Sequence, residues 1–132
     1  MARRAAIDRL FAGSEVERIL DALDREAVSA SAAADWARTT AAIMRTKSPL
    51  SLKLALAQVR RGQEWDFETC MRAEMRIVSR VIHGHDFYEG VRAVIVDKDN
   101  RPRWQPATLA DVSQAEVERH FAPLGARELV LP

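Results

Sequence analysis

The chain has 132 residues, 48% of them apolar and 30% charged, and 20 Lys plus Arg against 19 Asp plus Glu leave a formal net charge of +1. That length and apolar content suit one hydrophobic core and exclude a second full domain. Charges of both signs are interspersed, so no basic tract points to a nucleic-acid or anionic-membrane partner, and the short apolar runs are far from the roughly 20 residues that a bilayer span requires.

In chain order, Ile7, Leu10 and Phe11 predict a short first helix that Gly13 ends. Ser14 with Glu17 has the spacing of a capping box and predicts a second helix, on which Val16, Ile19, Leu20 and Leu23 share one face. After a connector over Ser29 to Ala34, Trp36, Thr40, Ile43 and Met44 resume the helical period. Ser48-Pro49 is a strong start, because Ser caps and Pro at the first helical position gives up an amide that has no partner there. Leu52, Leu56 and Val59 form that helix's stripe, and Arg60-Arg61-Gly62 supplies cations and a glycine at its end. Asp66 then caps the longest candidate, a central helix whose Phe67, Cys70, Met71, Met75, Val78, Val81 and Ile82 keep the period up to Gly84.

Asp86 with Glu89 repeats the capping-box spacing and opens a helix carrying Val91, Val94 and Ile95, which Asp97 to Asn100 should end. Arg101-Pro102-Arg103-Trp104-Gln105-Pro106 predicts an extended loop, since each Pro lacks a donor and biases its predecessor away from helix. Ser113 with Glu116 gives a further capping box, flanked by Val112 and Val117 as a hydrophobic staple, for a last helix through Phe121. Ala93 to Val96 is the best strand candidate, but it lies downstream of a helix start. The chain therefore reads as all-α, with about six or seven helices in one domain.

Several clusters could carry chemistry, and each has a plainer explanation. His83-Gly84-His85-Asp86 holds two imidazoles and a carboxylate, a common metal or acid-base set, yet the same residues fit a helix junction and no third spaced ligand is present, His120 being remote in sequence. Cys70 is the single cysteine, which excludes an internal disulfide, and its apolar helical position suits a small buried hydrophobe. Trp36, Trp65 and Trp104 could stack nucleobases but fit core packing or loop anchoring. Arg60-Arg61 and Arg101-x-Arg103 could bind phosphates, although such isolated pairs are usually solvated. The phosphate-binding and serine-hydrolase motifs are missing. Arg3 and Arg4 are followed by Asp8 and Arg9 before any apolar run, so no secretory signal is expected and a cytoplasmic location is the default.

Three stretches together resemble a known family: Lys47-Ser48-Pro49-Leu50-Ser51-Leu52-Lys53, Gly84-His85-Asp86-Phe87-Tyr88-Glu89-Gly90-Val91-Arg92-Ala93, and Asp97-Lys98-Asp99 with Pro102-Arg103-Trp104-x-Pro106. They look like the C-terminal part of 3-hydroxyisobutyryl-CoA hydrolases, of the crotonase (enoyl-CoA hydratase/isomerase) superfamily. Ile7-Asp8-x-x-Phe11, Val16-Glu17-x-Ile19-Leu20 and His120-Phe121-x-x-Leu124-Gly125 extend the similarity over nearly the whole chain. The resemblance implies hydrolysis of a 3-hydroxyacyl-CoA thioester in valine degradation, with backbone amides holding the thioester oxyanion. In the family the oxyanion loops and the catalytic Glu and Asp lie on a βα spiral preceding the matched region. The resemblance thus implies that residues 1–132 are a helical C-terminal fragment with no catalytic residue, metal or cofactor of its own, inactive alone. Its partner would be the catalytic core, in the same or another chain, whose active site it packs on and closes; the CoA thioester would be the substrate of the full-length enzyme.

Related hydratases use an aromatic and a Lys to hold the CoA adenosine phosphate. Lys98 matches the Lys, whereas Val94 stands near the aromatic's place and one extra residue is needed to align. The other readings are an enoyl-CoA hydratase or isomerase C-terminus, and a non-catalytic helical module that self-associates as a homo-oligomer through apolar surface such as Leu50, Leu52, Leu54 and Leu56. DNA binding fits poorly with a net charge of +1.

Overall fold

The computed structural model describes residues 2–131. Among them are seven α-helices and no strand: α1 (Ala2–Leu10), α2 (Val16–Ala27), α3 (Ala34–Arg45), α4 (Pro49–Gly62), α5 (Phe67–Val81), α6 (His85–Val91) and α7 (Gln114–Phe121). A π-helical turn over Arg92–Val96 follows α6, and single 3₁₀ turns span Leu109–Asp111 and Gly125–Arg127. The segment considered as a strand, Ala93 to Val96, is that π turn. The helices fall into two compact units, residues 1–47 and 48–132, described separately below.

In the first unit α2 packs along α3. Val16, Ile19, Leu20 and Leu23 are buried, as their spacing predicts. Ser14 does not cap the helix: Glu15 occupies the N-cap in extended geometry and no side chain caps there. Gly13 lies so close to the first turn of α2 that an added Cβ would come within 3.1 Å of the Arg18 Cβ. The predicted stripe of α3 is rotated. Ala37 and Ala41, one turn apart, face the core, because two methyl-sized side chains let α2 approach closely, whereas Ile43 is exposed. Phe11 and Trp36 meet with ring centroids 6.4 Å apart. The buried Glu26 accepts from Ser31 Oγ at 2.6 Å and pairs with Arg9 at 2.9 Å; these two partners, in that order, hold its carboxyl below the usual range.

In the second unit the three predicted starts hold. Ser48 accepts from the Ser51 amide, Asp66 from Thr69 and Ser113 from Glu116. Leu54, Ala73, Val112, Val117 and Phe121 form the core, with Leu50, Trp65, Ile77 and Val81 packed against it. The staple residues Val112 and Val117 are therefore both core members. Trp65 meets Phe121 edge-on at 6.3 Å, and the Arg61 guanidinium lies over the Phe121 ring, 4.2 Å from its centroid. Gly62 is the last residue of α4 rather than one beyond it.

The central helix α5 departs most from its sequence reading. Its apolar residues do not form one buried stripe. Ala73, Ile77 and Val81 face the core, while Phe67, Met71, Met75, Val78 and Ile82 are exposed on the adjoining face. Among the described residues no helix is long and apolar enough to cross a membrane.

Candidate functional site

The element from His85 to Ala93 forms α6 and enters the π turn. Gly84, extended at φ −84° and ψ 158°, occupies the N-cap and offers no side chain. Asp86 therefore lies inside the first turn, and the capping box predicted for Asp86 and Glu89 is not formed. Both carboxylates reach out of the helix instead. Asp86 accepts from Ser48 Oγ at 2.5 Å on one oxygen and from the Gln105 amide at 2.8 Å on the other. A single buried hydroxyl thus caps α4 and ties it to α6.

Glu89 takes a forked pair from Arg92, Nε to Oε2 at 2.9 Å and Nη2 to Oε1 at 2.8 Å, and also accepts the Arg103 amide at 2.7 Å. The Arg92 Nη1 donates to Asp97 at 2.7 Å and Asp99 at 2.8 Å, and Nη2 reaches the Arg101 carbonyl at 3.2 Å. One guanidinium therefore closes residues 97–101 back onto α6. Its hydrogen bonds, and then the Arg103 amide, push the Glu89 carboxyl down to about 2. Arg92 is raised further by Glu89, Asp99 and Asp97, and Asp99 is lowered by Arg92 and the Arg101 amide. A carboxylate held ionised as Glu89 is makes a poor general acid or base near neutrality. This cluster is built to position a loop.

The π turn supplies the reversal that the network needs. The Asp97 amide donates to the Arg92 carbonyl at 2.8 Å, so the turn holds one residue more than an α-turn. Lys98 and Asn100 follow with φ of 56° and 55°, the left-handed region that costs a side chain with a Cβ. Asn tolerates it. Lys98 is held there because both flanking aspartates are tied to Arg92 and its carbonyl accepts from Asn100 Nδ2 at 3.3 Å. Lys98 is exposed at the tip of this turn.

The other candidates are dispersed. His85 Nε2 lies 2.9 Å from the Arg103 carbonyl, which only accepts, so Nε2 carries the proton. His83 is exposed, and the buried His120 on α7 engages the Glu116 carbonyl through Nδ1. Among the described residues no three His, Cys, Asp or Glu groups stand together as metal ligands. Cys70 is half-buried beside a groove of about 380 Å³ that Ala55, Val59, Trp65 and Ala73 also line. Trp104 lies over Gly90, where an added Cβ would be 3.4 Å from its ring. Arg61 pairs with Glu118 rather than standing ready for a phosphate. Sequence reasoning missed the Arg92 hub, although a Glu three residues before an Arg and two Asp five and seven after it were legible as a charge cluster.

Ser48 is the most exacting position of this cluster. Ser48→Ala removes the α4 cap and strands one Asp86 oxygen, and the unit of residues 48–132 is expected to lose about 1–3 kcal/mol in a denaturant titration. An unchanged midpoint would remove Ser48 from the framework.

A model of the Enoyl-CoA hydratase/isomerase family matches residues 1–121. The chain belongs to the enoyl-CoA hydratase/isomerase family. It is 41% identical over 126 residues to the mitochondrial 3-hydroxyisobutyryl-CoA hydrolase of Danio rerio, which covers 96% of this chain and 31% of that one. It is 40% identical over 121 residues to the small ribosomal subunit protein mS47 of Arabidopsis thaliana, covering 89% of this chain and 29% of the relative. A crystal structure of a carnitinyl-CoA dehydratase from Mycobacterium thermoresistibile superposes with a TM-score of 0.83 at 36% identity, over 98% of this chain and 35% of the other. The chain thus spans about a third of the length of these relatives. The resemblance drawn from the His85–Ala93 element is correct, and the described residues of this chain are helical with no strand. The Danio rerio protein is mitochondrial by name, so the expectation of a cytoplasmic location gains no support from it.

Proposed function

We propose that this chain is the C-terminal helical part of a 3-hydroxyisobutyryl-CoA hydrolase-like acyl-CoA thioester hydrolase of valine degradation, which packs on a catalytic core and closes its active site. The observation that carries this reading is 41% identity to a hydrolase over 96% of the chain but only 31% of that relative. The Glu89–Arg92 cluster supports a positioning role, since its carboxylates are all engaged by one guanidinium that holds a loop. That loop presents Lys98, whose ammonium would neutralise a phosphate of CoA bound to the assembled enzyme. No residue of this chain is assigned to bond making.

The test is reconstitution. The purified chain should hydrolyse no 3-hydroxyisobutyryl-CoA, and adding the remaining two thirds of the Danio rerio relative should produce turnover, faster with the hydroxyacyl thioester than with an enoyl-CoA. In that assembly Lys98→Ala should raise KM for the thioester several-fold and leave kcat nearly unchanged. Thioesterase activity by the chain alone, or no gain on adding the core, would overturn the reading. The relative named as a ribosomal protein favours a second reading, a non-catalytic helical module, for which the core would bind without turnover.

A further inference from the structure

We infer that the outward face of α5, continued across the α4–α5 groove, is the surface on which the catalytic portion of an enoyl-CoA hydratase/isomerase-family chain docks. This rests on the reading above and names the surface through which it would operate. A helix on the outside of a globular protein needs an apolar stripe somewhat over 100° wide to face its core. At about 100° per residue, the core-facing Ala73, Ile77 and Val81 of α5 already fill such a stripe. Phe67, Met71, Met75, Val78 and Ile82 add a second one beside it, with Phe67 74% and Val78 48% exposed. Five large apolar residues in register on one face, unburied by this chain, are more than scattered surface hydrophobes explain.

Helix α4 repeats the pattern. Leu50 and Leu54 point into the core, whereas Leu52 and Leu56 are half-exposed and Val59 is 66% exposed. Between the two helices runs a groove lined by Ala55, Val59, Trp65 and Cys70 and bridged by the hydrogen-bonded Gln58 and Glu74. Polar pairs flank the α5 face: Glu68 with Arg72 on one side, at 2.9 Å, and Glu74 with Gln58 on the side toward α4. An apolar centre with a polar rim is the usual anatomy of a protein interface, and two methionines give it surface that adapts to a partner.

The occupant follows from length. The same helical fold occurs in solved relatives as 35% and 36% of a longer chain, with 98% and 97% of this chain superposed. The partner that such relatives carry, and that these 132 residues do not supply, is the other two thirds of the family fold. A second copy of this chain is the competing occupant, and the experiment separates them.

The catalytic two thirds of the Danio rerio relative is titrated into the full chain, into Met75→Lys/Val78→Lys, into the milder Met75→Ala/Val78→Ala, and into Val28→Lys, whose exposed side chain lies in the first unit. Each variant is first matched to the parent by circular dichroism and melting, which exposed positions should leave nearly unchanged. The double lysine variant should bind about 100-fold more weakly and the double alanine variant about 10-fold, with Val28→Lys unaffected. Hydrogen exchange in α4 and α5 should slow when the core is added. If the core binds and turns over substrate but neither double variant weakens it, this surface is wrong while the proposed function stands. If the core binds no form of the chain, both fall. If the free chain is a dimer that protects α5 and the lysine variant is monomeric with unaltered core affinity, the occupant is a second copy and the inference is overturned.

Discussion

Phe121→Ala is expected to destabilise the unit of residues 48–132 by about 3–5 kcal/mol, the range for removing a large buried aromatic. Phe121 is 7% exposed in the core between α4, α5 and α7. Truncation would leave a cavity and take away the edge contact of Trp65 and the ring on which Arg61 rests, two interactions beyond simple burial. The Phe121 carbonyl also accepts from Arg76 at 3.2 Å, a backbone bond the substitution keeps. Phe121→Leu retains most of the volume and should cost less than about 1.5 kcal/mol. Denaturant titration with near-ultraviolet circular dichroism reads both, and equal midpoints for the two variants would show that the ring is not what holds α7 to α5. The functional consequence is indirect: α7 backs the buried side of α5, so loosening it should blur the outward face as well.

Leu23→Ala is expected to cost the unit of residues 1–47 about 2–5 kcal/mol, because Leu23 has no exposed surface and lies on the buried face of α2, which packs along α3. Hydrogen exchange is the appropriate measurement, since it reads amides of α2 and α3 individually. Protection should fall throughout both helices. Loss confined to the residues next to position 23 would mean that the hairpin does not unfold as a unit.

Much of this fold was legible because its signals are local. Ser48-Pro49, Asp66 and Ser113 each place a side-chain acceptor over orphan amides of a first turn, a geometry set within four residues. The buried face of α2 followed from spacing alone. Where local chemistry was ambiguous the reading failed. Ser14 and Asp86 have the right neighbours for a capping box, yet Glu15 and Gly84 occupy the N-caps, and Asp86 is more valuable holding Ser48 and the Gln105 amide. Both partners are distant in sequence, so no local rule could have found them. The family was legible from His85 to Ala93, although what those residues hold was not: Glu89 and Arg92 gather the loop that follows.

The sequence by itself determined the helical class, most helix starts, the absence of a long apolar span and the kinship with CoA-thioester enzymes, because each depends on residue type and short spacing. Only the tertiary structure decided which part of an apolar stripe is core. A period of 3.6 shows that Phe67, Cys70, Met71, Met75, Val78 and Val81 share a broad side of α5; it cannot show how wide a stripe α4 and α7 cover. It likewise decided that Arg92 gathers Glu89, Asp97 and Asp99 around one guanidinium, since the π turn that brings them within reach is a property of the folded chain.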